Sequence, residues 1–156
     1  MTYQPGDYEA AHVAPAWRDR ADFIIAADIS EEPGHREWEQ IWARRLGEHT
    51  FEICCVPFFA YGMALGDVVE TNGAHVIRRV INRSGHRTVR IWLGDSSSAA
   101  AREEVQKAVS SLKINIERYS ENLLALSVAG EGVCQYVIHV LEQYARLGYL
   151  SFEFGN

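Results

Sequence analysis

The order of secondary-structure patterns in the second half of the chain is the feature that most constrains its fold. Four stretches rich in apolar and β-branched residues predict strands, at 89–94, 113–119, 123–130 and 149–154. Two stretches with apolar residues at helical spacing separate the first strand from the second and the third from the fourth. The resulting β-α-β-β-α-β order is typical of the ferredoxin-like fold.

Capping signals support both predicted helices. Asp95 and the three serines after it are residue types that cap a helix N-terminus, so they predict the start of the first helix. Gly148 stands where glycine commonly follows the last turn of a helix. The second half therefore predicts two bounded helices rather than one long one.

The first half predicts short strands joined by tight turns. Strand patterns fall at 21–29, 40–46, 50–56, 68–71 and 74–82. The stretch 40–46 also fits helical spacing, and the short Gly47–Glu48 turn after it favours the strand. Such a series predicts a small, partly closed β-barrel or a strongly bent sheet.

These patterns together predict an α+β protein with an N-terminal β-barrel-like half and a ferredoxin-like βαββαβ half. We expect three parts: an N-terminal arm (1–20), a β-rich barrel-like subdomain (21–84) and a ferredoxin-like subdomain (85–156). The aromatic residues of the arm suggest that it docks on the body of the protein.

Composition excludes several classes of function. No run of about 18 apolar residues occurs, and residues 1–20 lack the apolar segment of a signal peptide, so we expect a cytoplasmic protein without a membrane span. Three cysteines, no CxxC and no zinc-site spacing predict neither a disulfide framework nor a metal or other cofactor. The formal net charge of -6 argues against nucleic acid as the main partner.

Arginine is concentrated where the two halves meet. Five of the fifteen Lys and Arg residues are Arg78, Arg79, Arg83, Arg87 and Arg90. A crevice between subdomains is a common ligand site, so Arg83, Arg87 and Arg90 are candidates for binding an anionic group. Ion pairing with the surplus acidic residues explains the same arginines without a ligand.

Ser84, Gly85 and His86 lie within this cluster and allow two interpretations. Ser84 and His86 are a possible nucleophile and acid or base. Both would lie on one tight turn, however, whereas the base of known triads comes from elsewhere in the fold. A β-turn through Ser84 and Gly85 accounts for the same residues without catalysis.

Further candidates lie in the third predicted strand and in the segment between it and the fourth. Cys54 shares a strand face with polar residues, which predicts a solvent-facing thiol, whereas Cys55 is expected in the core. Asp67 is either a general base or a turn residue bonded to nearby backbone. Three aromatic residues line a groove or fill a core: Phe58, Phe59 and Tyr61.

The remaining histidines give no sign of a site. His12, His35, His49 and His75 lie in or beside predicted turns without evident partners. His139 falls on the polar face of the second helix. Scattered histidines without convergent spacing do not predict a metal site.

Three segments carry a resemblance to a bacterial family described only as a domain of unknown function. Its members look like "W-x-x-x-L-G", "I-P-F-F-x-x-G-x-A-x-G-D-V-V" and "S-G-H-x-T-V-R". These motifs fall on Trp42 to Gly47, Val56 to Val69 and Ser84 to Arg90, with Val56 in place of the usual isoleucine. The resemblance covers roughly residues 21–154 and implies a fold pattern, but no activity and no catalytic residues.

The leading functional hypothesis is recognition without chemistry. The acidic charge and aromatic-rich loops suggest an accessory or immunity-type protein that binds a partner protein or peptide, and an acidic surface suits a basic partner. The alternative is a small cofactor-free enzyme acting on a peptide or anionic metabolite, with His86 as acid or base and Asp67 or Cys54 assisting.

Two weaker hypotheses remain open. RNA binding would use the open face of the ferredoxin-like sheet, but Asn115, Glu117 and Tyr119 offer only one aromatic residue there. An edge strand of the β-rich half leaves room for a homodimer.

Overall fold

The computed structural model describes residues 8–94 and 98–156. Within these residues the chain forms ten strands and two helices, and the strands make two separate sheets. The protein is therefore of the mixed α+β class, as predicted. Asp95, expected to help cap the first helix, and the two serines that follow it lie outside the described residues.

The first sheet contains six strands from the first half of the chain. They are β1 (Tyr8–Ala10), β2 (Phe23–Asp28), β3 (Glu37–Arg45), β4 (Thr50–Ile53), β5 (Val68–Thr71) and β6 (Ile77–Asn82). The long strand β3 pairs with β1, β2 and β4. Beyond β4, β5 pairs antiparallel with β4, and β6 pairs antiparallel with β5. Residues of the arm thus form part of the sheet through β1.

This sheet is not a closed barrel, which corrects the barrel-like expectation. Closure would require β6, the last strand, to pair with β2. The two are connected by an isolated bridge between Ala26 and Val76, just before β6 begins. Two register shifts interrupt the β5–β6 ladder, and such irregularities bend a sheet without closing it.

The second sheet is built from the second half of the chain in the order β-α-β-β-α-β. Its elements are β7 (His86–Trp92), α1 (Ala99–Ser110), β8 (Asn115–Arg118), β9 (Leu123–Ala129), α2 (Glu131–Arg146) and β10 (Ser151–Phe154). The strand order across the sheet is β10-β7-β9-β8, and all neighbours are antiparallel. β10 is thus a strand at the edge of this sheet.

The helices cover one face of the second sheet. Alternate residues of β7 and β9 point toward them, and Val105, Val109, Val137 and Leu141 of the helices complete this core. A separate core lies on one face of the first sheet, around Phe51. Each sheet therefore has its own apolar core.

Both helices end and begin close to where the sequence predicts. Ser98 caps α1, since its side-chain oxygen accepts a hydrogen bond from the backbone N–H of Ala101 at 3.1 Å. Gly148, beyond the end of α2, has φ of 76°, the left-handed conformation expected after a helix. In the described part of the chain, no helix combines the length and apolarity needed to cross a bilayer.

Candidate functional site

The two sheets meet across the face of the second sheet that the helices leave uncovered. The segment that follows β4 lies on this face, and Val56, Phe58 and Leu65 pack there against Ala125 of β9. Trp17 of the arm packs at the same contact. The sheet face that RNA would need is therefore occupied by the protein's own chain.

A buried histidine joins the arm to both sheets at this contact. His12 is 4% exposed, and its Nε2 lies 2.9 Å from Oε1 of Glu39 on β3. Its Nδ1 lies 2.7 Å from Oε1 of Glu117 on β8. The imidazole ring stacks on Phe58, with ring centroids 4.2 Å apart. One side chain thus bridges carboxylates from two different sheets.

Backbone N–H groups satisfy the remaining oxygen positions of both carboxylates. Glu39 accepts hydrogen bonds from three consecutive residues, Phe58 (2.6 Å), Phe59 (2.9 Å) and Ala60 (2.8 Å). Glu117 accepts from the backbone of Ala16 (3.2 Å) and of Val56. Buried carboxylates need such donors, and these two fix the path of the segment after β4.

Electrostatics keep this cluster charged. Burial by itself lowers the pKa of His12, but the carboxylates of Glu117 and Glu39 oppose burial, and the pKa of His12 is raised above its usual value. Burial also opposes ionisation of Glu39, yet His12 and the backbone donors bring the pKa of Glu39 below its usual value. Burial raises the pKa of the Cys55 thiol, so Cys55 stays protonated and the two carboxylates hold the imidazolium.

The sequence-based view of His12 as a turn residue without partners is wrong. The missed signal was strand alternation, because Glu39 shares the apolar face of β3 with Ile41 and Ala43. A glutamate on a core face needs a buried partner. Nothing in the sequence pairs that partner with His12, which lies 27 residues away. The cluster is closed to solvent, so its role is to hold the structure together.

An open groove with a volume of about 930 Å³ lies beside the closed cluster. One wall is formed by the segment after β2 and the start of β3, and the other by β7 and the edge strand β10. The segment after β4 forms its floor, and Phe58 separates it from His12. A groove of this size lies at the upper end of the range for small-ligand sites.

Aromatic and acidic side chains dominate the groove. The aromatic residues are Tyr8, Phe58, Phe59, Tyr61, Trp92 and Phe152. The acidic residues are Asp28, Glu31, Glu37 and Glu153, and Arg90 is the single basic residue among those lining it. The charge of the groove is therefore negative.

Arg90 is held by the protein itself. It is 4% exposed, and it donates to the carbonyl oxygens of Pro57 and Ala60. Its guanidinium lies 4.5 Å from the ring centroid of Tyr61 and 3.5 Å from a carboxylate oxygen of Glu153. The Tyr61 hydroxyl also donates to Glu153 at 2.7 Å. Arg90 therefore has little capacity left to bind an anion.

The structure separates the predicted site residues into two groups. Phe58, Phe59, Tyr61 and Arg90 line the groove. The others do not, and they are Arg83, Ser84, His86, Arg87, Asp67 and Cys54. The crevice predicted from the arginine cluster thus contains only one of its arginines.

Ser84 and Asp67 join two family motifs by hydrogen bonds. Asp67 is buried and accepts from the backbone N–H groups of Ala64 (2.9 Å) and Ser84 (2.8 Å). The Ser84 hydroxyl donates to the carbonyl of Leu65 at 2.7 Å. A Cβ on Gly66 would lie 2.9 Å from that of Ser84, so the two segments approach too closely for a larger residue. This geometry fits the turn interpretation.

His86 bonds to a different serine. Its Nδ1 lies 2.8 Å from Oγ of Ser127 on β9, and its ring contacts Trp17 edge-on. The backbone N–H of His86, rather than its ring, donates to the Ser84 hydroxyl. Within the described residues the proposed nucleophile and base therefore do not form a dyad.

The arginines of the cluster point to different places. Arg83 donates to the carbonyl of Gly62 at 2.6 Å and lies 3.5 Å from Asp67. Arg87 lies over the ring of Phe154, 3.9 Å from its centroid. Strand alternation on β7 explains this, since Arg87 and Arg90 lie on opposite faces of the sheet.

The expectation of a solvent-facing Cys54 is wrong. Its side chain is buried, and burial together with the neighbouring Glu52 raises the pKa of the thiol to about 12. A thiol that stays protonated at neutral pH is a poor nucleophile. The strand ends at Ile53, so the alternation on which the expectation depended does not extend to Cys54.

Within residues 8–94 and 98–156, no group of three or more His, Cys, Asp or Glu side chains is arranged so that it could hold a metal ion. The class defined by fold and site is thus a two-sheet α+β protein with a closed ionic cluster and an acidic, aromatic groove.

The sequence pattern of the domain-of-unknown-function family DUF4265 matches residues 39–152. Since this is more than half of the chain, the protein belongs to that family, which confirms the resemblance.

Among solved structures, the fold is similar to that of a hypothetical protein from Neisseria gonorrhoeae. The two share 19% sequence identity and a TM-score of 0.66, over 83% of this chain and 91% of the other. At this identity the similarity concerns the fold alone. No curated protein matches the sequence.

Proposed function

We propose that the protein is a recognition protein that binds a basic peptide segment of a partner protein in the groove between its two sheets. The observation that carries this proposal is the combination of exposed aromatic rings with surplus carboxylates along one groove. Lysine and arginine side chains bind such surroundings through ion pairs and through cation–π contacts with aromatic faces.

The carboxylates differ in their availability to a partner. Asp28 pairs with Arg36 at 3.4 Å, and Glu153 is engaged by Arg90 and Tyr61. The side chains of Glu31 and Glu37 have no hydrogen-bond or ion-pair partner within the described residues. These two glutamates are therefore the strongest candidates for binding a cationic side chain.

The scaffold is consistent with this role. The strand order β10-β7-β9-β8 supports the prediction of a ferredoxin-like unit, which here carries the groove on the face opposite its helices. The three cysteines are free and buried, which supports the proposed cytoplasmic setting.

A binding experiment tests the proposal. The probe is a fluorescein-labelled decapeptide of alternating valine and lysine, compared with one of alternating valine and glutamate by fluorescence anisotropy. We expect the lysine peptide to bind, and Glu31→Gln/Glu37→Gln to weaken its affinity about five- to tenfold, because two rim charges are lost.

The matched control is Glu104→Gln/Glu142→Gln, which removes two exposed charges from the helices. It should leave the affinity nearly unchanged. Equal weakening by both double variants, or equal binding of the two peptides, would contradict recognition in the groove. The mass of the bound peptide, measured after incubation, should stay unchanged if the protein recognises it without turnover.

A further inference from the structure

We infer that the basic segment binds as an added strand along the outer edge of β10. This inference rests on the proposed function and specifies how the partner is held. It depends on the pairing of β10, on the charge of the groove and on the position of its aromatic rings.

The backbone of β10 presents hydrogen-bonding groups on its outer side. Ser151 pairs with Trp92 and Glu153 with Arg90, and the N–H of Gly155 donates to the carbonyl of Thr88 at 2.9 Å. In an antiparallel pair, alternate residues direct both main-chain groups toward the neighbouring strand. The N–H and C=O groups of Phe152 and Phe154 therefore point away from β7.

No other described strand pairs with this edge. β10 ends the order β10-β7-β9-β8. Phe152 lines the groove although its side chain packs against the core beneath the helices, which places its main chain along the groove. Beyond the strand, the N–H of Gly62 donates to the carbonyl of Gly155 at 2.7 Å and closes the edge.

An added strand would place its side chains where the groove is aromatic and acidic. Successive side chains of a strand point to opposite faces, so every second residue would face the groove. On that face the neighbouring side chains across the sheet are Ser151 and Glu153 of β10, and beyond them lie Trp92 and Arg90 of β7. Trp92 is 45% exposed and Tyr61 is 64% exposed, and both offer a surface to the stem and charge of a lysine.

Charge selects a basic peptide over a second copy of this chain as the occupant. Pairing of two β10 edges would bring the acidic rims of both copies, including Glu31 and Glu153, toward each other. Like charges facing each other oppose association, and the whole chain carries a formal net charge of -6. A basic segment replaces this repulsion with attraction.

Backbone methylation of the probe tests strand addition. Two versions of the valine–lysine decapeptide carry N-methyl groups on all lysines or on all valines, so that each blocks one edge of the extended peptide. We expect one version to lose affinity at least tenfold and the other to bind like the parent, since only one edge of the peptide pairs with β10.

The outcomes separate this inference from the proposed function. If the parent peptide fails to bind, recognition of a basic segment is wrong. If the parent binds and both methylated versions bind equally well, or lose affinity equally, only strand addition is wrong.

Amide hydrogen exchange provides a second readout. Binding of the parent peptide should slow exchange at Phe152 and Phe154, while exposed amides of α2 keep their rates. Slow exchange at both phenylalanines without peptide, together with a dimer in sedimentation, would overturn the inference in favour of self-association.

Discussion

At the scale of single residues, His12 contributes more to the stability of the fold than any feature of the sequence predicted. It is a buried cation between two buried carboxylates that belong to different sheets. Removing one member of such a group leaves uncompensated charge in the buried interior. The stability of the fold therefore depends on a residue of the arm.

His12→Gln tests this dependence and the charge of the ring. We expect a loss of about 3–5 kcal/mol in the free energy of unfolding near pH 6, measured with urea. The folded-state pKa of His12 is raised to about 12 from 6.5. The stability that the charged His12 ring contributes is thus complete below about pH 6.5 and declines as pH rises. The difference in free energy of unfolding between wild type and His12→Gln should therefore narrow by roughly 1 kcal/mol per pH unit between about pH 7 and pH 9.

The control for this substitution is His139→Gln, on the exposed side of α2. Its effect should stay within about 0.5 kcal/mol at every pH, as for most surface substitutions. A gap between wild type and His12→Gln that is independent of pH would show that the buried ring is neutral.

The site residues show where sequence reasoning succeeds and where it fails. Phe58, Phe59 and Tyr61 were candidates because aromatic residues cluster in one loop, and the loop does lie at the groove. Arg83, Arg87 and Arg90 are close in sequence, but strand alternation and a turn send them to different places. Proximity along a chain does not fix direction, which depends on the pairing of each strand.

At the scale of elements, local patterns were enough to find most strands and both helices. The reason is that apolar periodicity and capping residues act within a few positions of each other. The extent of β3, which reaches back to Glu37, was underestimated because two of its first three residues, Glu37 and Glu39, are acidic. Those residues are in the sheet because they pair with β1 and β2, and such long-range pairing leaves no local signal.

Ser98→Ala tests the capping of α1. The substitution removes the acceptor for the Ala101 N–H and should cost about 1 kcal/mol of stability in urea unfolding. Ser110→Ala, in the exposed last turn of the same helix, is the matched control and should have little effect. Equal effects of the two substitutions would mean that Ser98 does not cap the helix.

At the scale of the whole molecule, two sheets with separate apolar cores are joined by a buried ionic cluster and by a smaller apolar contact. His12, Glu39 and Glu117 connect them, and the segment after β4 packs on the second sheet. Because these contacts are buried, opening the interface would expose charges that pair only in the folded state. The two halves should therefore unfold together.

Urea unfolding followed by two signals checks this cooperativity. Far-UV circular dichroism at helical wavelengths reports on α1 and α2, which pack on the second sheet. Tryptophan fluorescence of Trp92→Phe reports on Trp17, Trp38 and Trp42, which lie with the first sheet and the arm. The two midpoints should coincide, and a clear separation would show that the halves are independent folding units.

The three N–H groups that Glu39 accepts have a consequence for how this protein can change over evolution. They fix the floor of the groove through a charge that the fold itself requires. Loss of Glu39, or a proline at any of the three donor positions, would therefore be removed by selection for folding before any effect on binding mattered. The rim, where Glu31 and Tyr61 are exposed, is free of that constraint. New partners would thus arise by mutation of the rim, while the floor is inherited unchanged.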